Sequence, residues 1–144
     1  MTKKSILTII IGLIAITLFS CKPPIIQPEN VDSKIVNFVE SYFPGTSIVS
    51  CTYEHQEYEV RLNDGTKIEF TKRKNWEEID CEHSTLFTEV PSELIPEAIS
   101  SFVMNNYPEN KIIKIAKDDY GWEIELDNDI EIEFNKKFEL LKID

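Results

Sequence analysis

The sequence predicts an α+β protein built from two tandem units, each one helix followed by four short antiparallel strands. Three observations predict it. The stretch Tyr58 to Phe70, YEVRLNDGTKIEF, alternates apolar and polar residues on both sides of an Asn-Asp-Gly turn, as a half-buried hairpin does. The stretch Trp122 to Phe134, WEIELDNDIEIEF, repeats it. Ahead of the hairpins, Ile35, Phe38, Val39 and Tyr42, and later Ile99, Phe102, Val103 and Tyr107, fall on one face at helical spacing. A helix stripe covering one apolar sheet face is a layered α+β arrangement.

The chain begins with the basic segment Met1-Thr2-Lys3-Lys4, then an uncharged run, mostly Ile and Leu, from Ile6 to Phe19. That run is short for a membrane span, which needs about 20 residues. A basic start and an apolar core of this length read as a secretory signal. Its end, Leu18-Phe19-Ser20-Cys21, resembles the bacterial lipoprotein signal, although Phe19 stands where smaller residues are commoner. The resemblance implies a signal over residues 1–20, cleavage before Cys21, and lipid attachment to Cys21. The alternative is an uncleaved anchor. Either places the domain outside the cytoplasm, and multiple acyl chains would anchor it stably. The expected address is the cell envelope, on the outer membrane facing the periplasm. Residues 21–30, with Pro23, Pro24 and Pro28, show no periodicity and read as an extended, semi-rigid tether.

The first unit, residues 31–81, starts with its helix. Asp32 or Ser33 can cap the free amide hydrogens of the first turn, and Pro44 and Gly45 end the helix. Strands over Ile48 to Tyr53, both arms of the hairpin, and Trp76 to Cys81 follow. A linker, residues 82–91, leads to the second unit, residues 92–144. There Ser92 is placed to cap a short turn and Pro96 suits the start of the main helix. Met104 reads as core filler. Strands over Ile112 to Lys117, the second hairpin, and Phe138 to Ile143 complete the unit. The match needs no gap: Ile35, Phe38, Pro44, Leu62, Phe70 and Asp80 recur as Ile99, Phe102, Pro108, Leu126, Phe134 and Asp144. Neither half alone would bury much core, so the two are expected to share one sheet or interface.

Burial sets the hairpin register. With Asn63-Asp64-Gly65 as a three-residue loop, Leu62 faces Thr66, Val60 faces Ile68 and Tyr58 faces Phe70. The apolar side chains then share one face. A two-residue Asp-Gly loop would mix the faces. Gly65 is therefore expected in the left-handed conformation, closing a bulge. In the copy, Ile124 faces Ile132, Trp122 faces Phe134, and Asp129 takes the glycine's place.

Several of these features together resemble the PepSY-like proteins. They are a helix ending in aromatic-Pro (Phe43-Pro44, Tyr107-Pro108), a Tyr/Trp-Glu-Val/Ile-x-Leu strand, an Asn-Asp-Gly turn, an Ile-Glu-Phe strand and a Trp-x-x-Ile-Asp end. These secreted or lipid-anchored bacterial proteins are classed as β-lactamase-inhibitor-like. The resemblance implies one curved antiparallel sheet with helices on its convex side. It carries no inhibitory residue to this chain, because no motif here matches one, and fold does not fix function.

The side chains offer little chemistry. The two histidines, His55 and His83, fall in a turn and in the linker, without partners spaced for zinc or a catalytic triad. Four glycines make no phosphate-binding loop. No catalytic residue, cofactor or metal ligand is assigned, and the expectation is a protein that is not an enzyme. Cys51 and Cys81 suggest a disulfide outside the cytoplasm. The topology opposes it, since a simple meander holds their strands about 14 Å apart, and a bridge needs Cα atoms within about 7 Å. Cys51 corresponds to Ile115 and reads as buried filler.

Charge is the sharper feature. The net charge is −11, which excludes nucleic acid as a partner by repulsion. The outward face of the first hairpin mixes Glu59, Arg61, Lys67 and Glu69. The second carries Glu123, Glu125, Glu131 and Glu133, which the register sets in like-charged pairs. Such pairs are destabilising. Lys114, Lys136 or Lys137, a cation, or a basic partner would balance them. Asp127-Asn128-Asp129 is rich in oxygen but lacks EF-hand spacing. The leading functional expectation is a lipid-anchored binding module. It would engage the membrane through Cys21, and a protein or peptide through the sheet face that includes the four glutamates. Inhibition of a secreted enzyme is a special case. The alternative is a divalent-cation or small-ligand binder.

Overall fold

The structure, a computed structural model, describes residues 22–144. The signal-like segment and Cys21 lie outside the described residues. Among these residues nine strands form a single antiparallel open sheet whose spatial order is the chain order. They are β1 (Ile25–Ile26), β2 (Ile48–Glu54), β3 (Glu57–Leu62), β4 (Lys67–Thr71), β5 (Trp76–Asp80), β6 (Ile112–Lys117), β7 (Gly121–Leu126), β8 (Glu131–Asn135) and β9 (Leu140–Ile143). Helices α1 (Ser33–Tyr42) and α2 (Glu97–Asn106) precede β2 and β6.

Both hairpins take the expected register. Tyr58 pairs with Phe70 and Val60 with Ile68; Trp122 pairs with Phe134 and Ile124 with Ile132. Leu62 N–H donates to the Thr66 carbonyl at 2.9 Å, closing the three-residue loop, and Gly65 has φ of 102°. Asp129 adopts the matching left-handed conformation at φ of 65°. β5 pairs with β6, with Ile79 opposite Ile115, so that β1–β5 and β6–β9 belong to the same sheet.

One face of the sheet holds the core. Val60, Ile68, Phe70, Ile79, Ile115, Ile124, Ile132 and Phe134 are buried there, with Ile35 and Val39 of α1 and Ile99 and Val103 of α2. Each helix drives a phenylalanine edge-on against the sheet, Phe38 onto Phe70 at 5.3 Å and Phe102 onto Phe134 at 5.2 Å. Asp32 caps α1 by accepting from Lys34 N–H at 2.9 Å. Phe43, just past α1, is fully buried against Phe87 of the linker.

Some expectations are corrected. The tether includes part of the sheet, with Ile25 and Ile26 pairing with Thr52 and Cys51 on the outer edge of β2. Their backbone groups find partners there, and the flanking prolines, lacking N–H groups, keep the strand short. Ser92 caps nothing: its hydroxyl meets Glu93 at 3.3 Å, and the turn is closed by Leu94 N–H donating to the Pro91 carbonyl. Met104 is exposed, because its neighbour Val103 takes the position facing the sheet. Ser84 and Thr85, which read as ordinary linker residues, tie the linker to the first hairpin loop. Ser84 Oγ donates to the buried Asp64 carboxylate at 2.6 Å, and Thr85 N–H donates to the Asp64 carbonyl at 2.7 Å. Cys51 and Cys81 are free and buried, with β3 and β4 between β2 and β5. No helix among the described residues is long and apolar enough to cross a membrane.

Candidate functional site: the outward sheet face

Strand side chains alternate between faces. The core residues therefore send their neighbours to the opposite side, away from the helices. Register then aligns those neighbours across the sheet. One row runs Glu59, Glu69, Glu78, Ala116, Glu123, Glu133 and Lys142. The next runs Arg61, Lys67, Asp80, Lys114, Glu125 and Glu131. All four glutamates singled out from the sequence lie here, in the like-charged pairs Glu123–Glu133 and Glu125–Glu131.

Cations partly neutralise the face. Lys67 Nζ lies 3.1 Å from Glu69 and 2.8 Å from Glu78 Oε1. The second contact is an ion pair without the alignment of a hydrogen bond, and Glu78 Oε1 has no hydrogen-bond donor among the described residues. Lys114 stands 3.8 Å from the same oxygen. Burial lowers the Lys67 pKa, but Glu78 and Glu69 outweigh it and hold the ammonium above the ordinary lysine range. Arg61 meets Glu59 at 2.8 Å. In the second half Lys142, rather than Lys136 or Lys137, approaches Glu133 at 3.9 Å, and Lys114 is the register partner of Glu125. Burial, then Glu82, raises the Glu125 pKa, with Lys114 opposing. Among the described residues Glu123 and Glu131 enter no ion pair.

Sequence reasoning missed Glu78 as the member that joins the two hairpins' glutamates into one row. The signal was local, in the alternation of Glu78, Ile79 and Asp80, but its meaning depended on β5 pairing with β6. It also missed Lys117, on the core side at the end of β6. Its ammonium sits 3.5 Å from the Trp76 ring centre and 5.5 Å from that of Trp122. These rings face the cation with their electron-rich π surfaces. Burial lowers the Lys117 pKa, with Glu77 opposing.

Among the described residues the two histidines lie outside these rows. His55 and His83 stand exposed, each 4.0 Å from the adjacent Glu54 or Glu82. Burial, then Asp64 and Asp80, pushes the Cys81 thiol up to about 12, so it stays protonated at neutral pH. Asp127 accepts from Asn110 Nδ2 at 2.9 Å and from Lys111 N–H at 3.2 Å, which lowers its pKa and commits it to the turn. No cluster of three or more His, Cys, Asp or Glu side chains among the described residues is arranged to hold a metal ion.

The family described as "Putative beta-lactamase-inhibitor-like, PepSY-like" matches residues 18–66 and 56–142. The chain belongs to the PepSY-like family. Three solved structures share the fold of this PepSY-like chain. A "putative calcium-regulated periplasmic protein" from Bacteroides thetaiotaomicron is 35% identical with a TM-score of 0.75, covering 83% of this chain and 94% of its own. A "putative periplasmic protein" from Bacteroides vulgatus is 30% identical with a TM-score of 0.78, covering 87% and 98%. Another from Bacteroides vulgatus, described as of unknown function, is 27% identical with a TM-score of 0.75, covering 85% and 99%. A comparison with curated proteins finds no match.

Proposed function

We propose that this PepSY-like protein is a non-enzymatic binding module of the periplasm. It is held at the outer membrane by lipid on Cys21 and engages a protein or peptide through the helix-free face of its sheet. In this reading the two helix-plus-four-strand units are tandem copies that present one curved surface. The observation that carries it is the register row from β3 to β8, Glu59, Glu69, Glu78, Glu123 and Glu133, broken only by Ala116 on β6. Like charges placed side by side cost stability, and a basic partner surface would relieve that cost on binding. Charge complementarity of this kind favours fast and selective association. Inhibition of a secreted enzyme is the special case suggested by the family description.

The test is a crosslinking pull-down from native membranes. It compares the wild type with a variant carrying Glu123→Gln, Glu125→Gln, Glu131→Gln and Glu133→Gln together. A partner captured by the wild type and lost from the variant supports the reading. Equal capture by both, or none by either, overturns it.

The relative described as calcium-regulated favours a second reading, divalent-cation binding on this face. Calcium titration followed by thermal melting separates the two. A specific site raises the melting temperature to saturation, whereas screening is reproduced by sodium at equal ionic strength.

A further inference from the structure

We propose that the open edge of β9 pairs antiparallel with the same edge of a second copy of this chain, making a two-fold dimer whose sheet runs on across the contact. Among the described residues the open sheet has β1 and β9 as its edges. They are not equivalent. β1 is two residues long and stands among Pro23, Pro24 and Pro28, which offer no N–H to a further strand. Among the described residues no strand or proline blocks the β9 edge. Leu140, Leu141 and Ile143 are exposed along it.

The chain carries its own template for what that edge accepts. In the repeat, Ile143 and Asp144 occupy the places of Ile79 and Asp80. At the internal junction Ile79 faces Ile115 and Asp80 faces Lys114. There Ile79 is 0% exposed, whereas Ile143 is 44% exposed. A partner strand that reproduces this junction offers an apolar residue opposite Ile143 and a lysine opposite Asp144, whose carboxylate in the single chain is met by its own Lys142. β9 offers both to itself. With Ile143 opposite Ile143 of the second copy, Lys142 of each chain faces Asp144 of the other.

The backbone permits this register. Asp144 N–H donates to the Glu131 carbonyl at 3.0 Å and its carbonyl accepts from Glu131 N–H at 3.3 Å, so both groups point inward. In an antiparallel ladder these directions alternate. The N–H and carbonyl of Ile143 therefore face the open edge, where two copies can exchange them. Directly opposed residues share a face, so both copies keep their helices on the same side. The blocked β1 edge stops growth beyond two copies, and the contact closes as an isologous dimer.

The test uses the full chain in a non-ionic detergent, with protein mass measured by light scattering over a wide concentration range. The wild type is expected to pass from monomer to dimer. Lys142→Glu and Asp144→Lys each place like charges across the contact and should weaken the dimer by about tenfold. Mixed in equal amounts, the two variants should recover it, because the introduced glutamate of one then faces the introduced lysine of the other. That recovery excludes misfolding as the cause of either loss. A wild type that stays monomeric, single variants that dimerise as well as the wild type, or a mixture that does not recover would each overturn the proposal.

Discussion

Glu125 shows how a single carboxylate on the outward face is placed at a cost. Its pKa is raised, first by burial and then by Glu82, despite Lys114 beside it. A raised folded-state pKa means that the folded protein holds the proton more tightly than the unfolded chain does. The resulting stabilisation is complete below the ordinary carboxylate pKa and is lost as pH rises through the raised value. At neutral pH the ionised group therefore weighs against folding. Glu125→Gln should make the protein more stable than the wild type at pH 7, with the gain vanishing well below the ordinary value of 4.5. Urea midpoints at the two pH values check this, and an equal change at both would mean that the effect is packing, not charge. Lys67 is the opposite case, a cation that Glu69 and Glu78 hold charged against its own burial.

At the scale of elements, the two hairpin loops share a backbone path but not a residue at its strained position. Gly65 has φ of 102°, and a Cβ there would meet the His83 carbonyl oxygen at 2.1 Å. Gly65→Ala should therefore destabilise by more than about 1 kcal/mol, through left-handed strain and the clash with the docked linker. Asp129 sits at φ of 65° with a Cβ in place. Asp129→Gly should raise stability by about 0.5–1 kcal/mol, since glycine carries no penalty in that conformation. Chemical-denaturation midpoints of both variants test the pair, and a loss of stability in Asp129→Gly would mean that its side chain holds the turn. Gly121 answers a different need. A Cβ on it would lie 1.9 Å from the Phe134 carbonyl oxygen, so β7 and β8 could not keep this spacing with a larger residue. The alternation in the hairpin strands does not reveal that close approach, which arises only once Gly121 is paired with Asn135.

On the scale of the whole molecule, β5 and β6 weld the halves into one sheet, and one core runs beneath both helices. Phe70 and Phe134 are buried at matching places in it. Phe70→Ala and Phe134→Ala should each cost about 3–5 kcal/mol, and each variant should still unfold in one transition. A denaturation curve that splits in two, with one phase at the wild-type midpoint, would show halves that unfold independently. The sequence by itself determined the helix faces, both hairpin registers, the left-handed loop positions and the like-charged glutamate pairs. Those features follow from local periodicity and turn chemistry, and burial allows only one register. Only the tertiary structure decided that Ile25 and Ile26 join the sheet, that Ser84 locks onto Asp64, and that Lys117 lies between Trp76 and Trp122. It alone also carried the glutamate row through Glu78 and set β9 at the edge of the sheet among the described residues. Each of these rests on pairing between segments distant in the chain, and the period of a strand carries no record of which strand lies beside it.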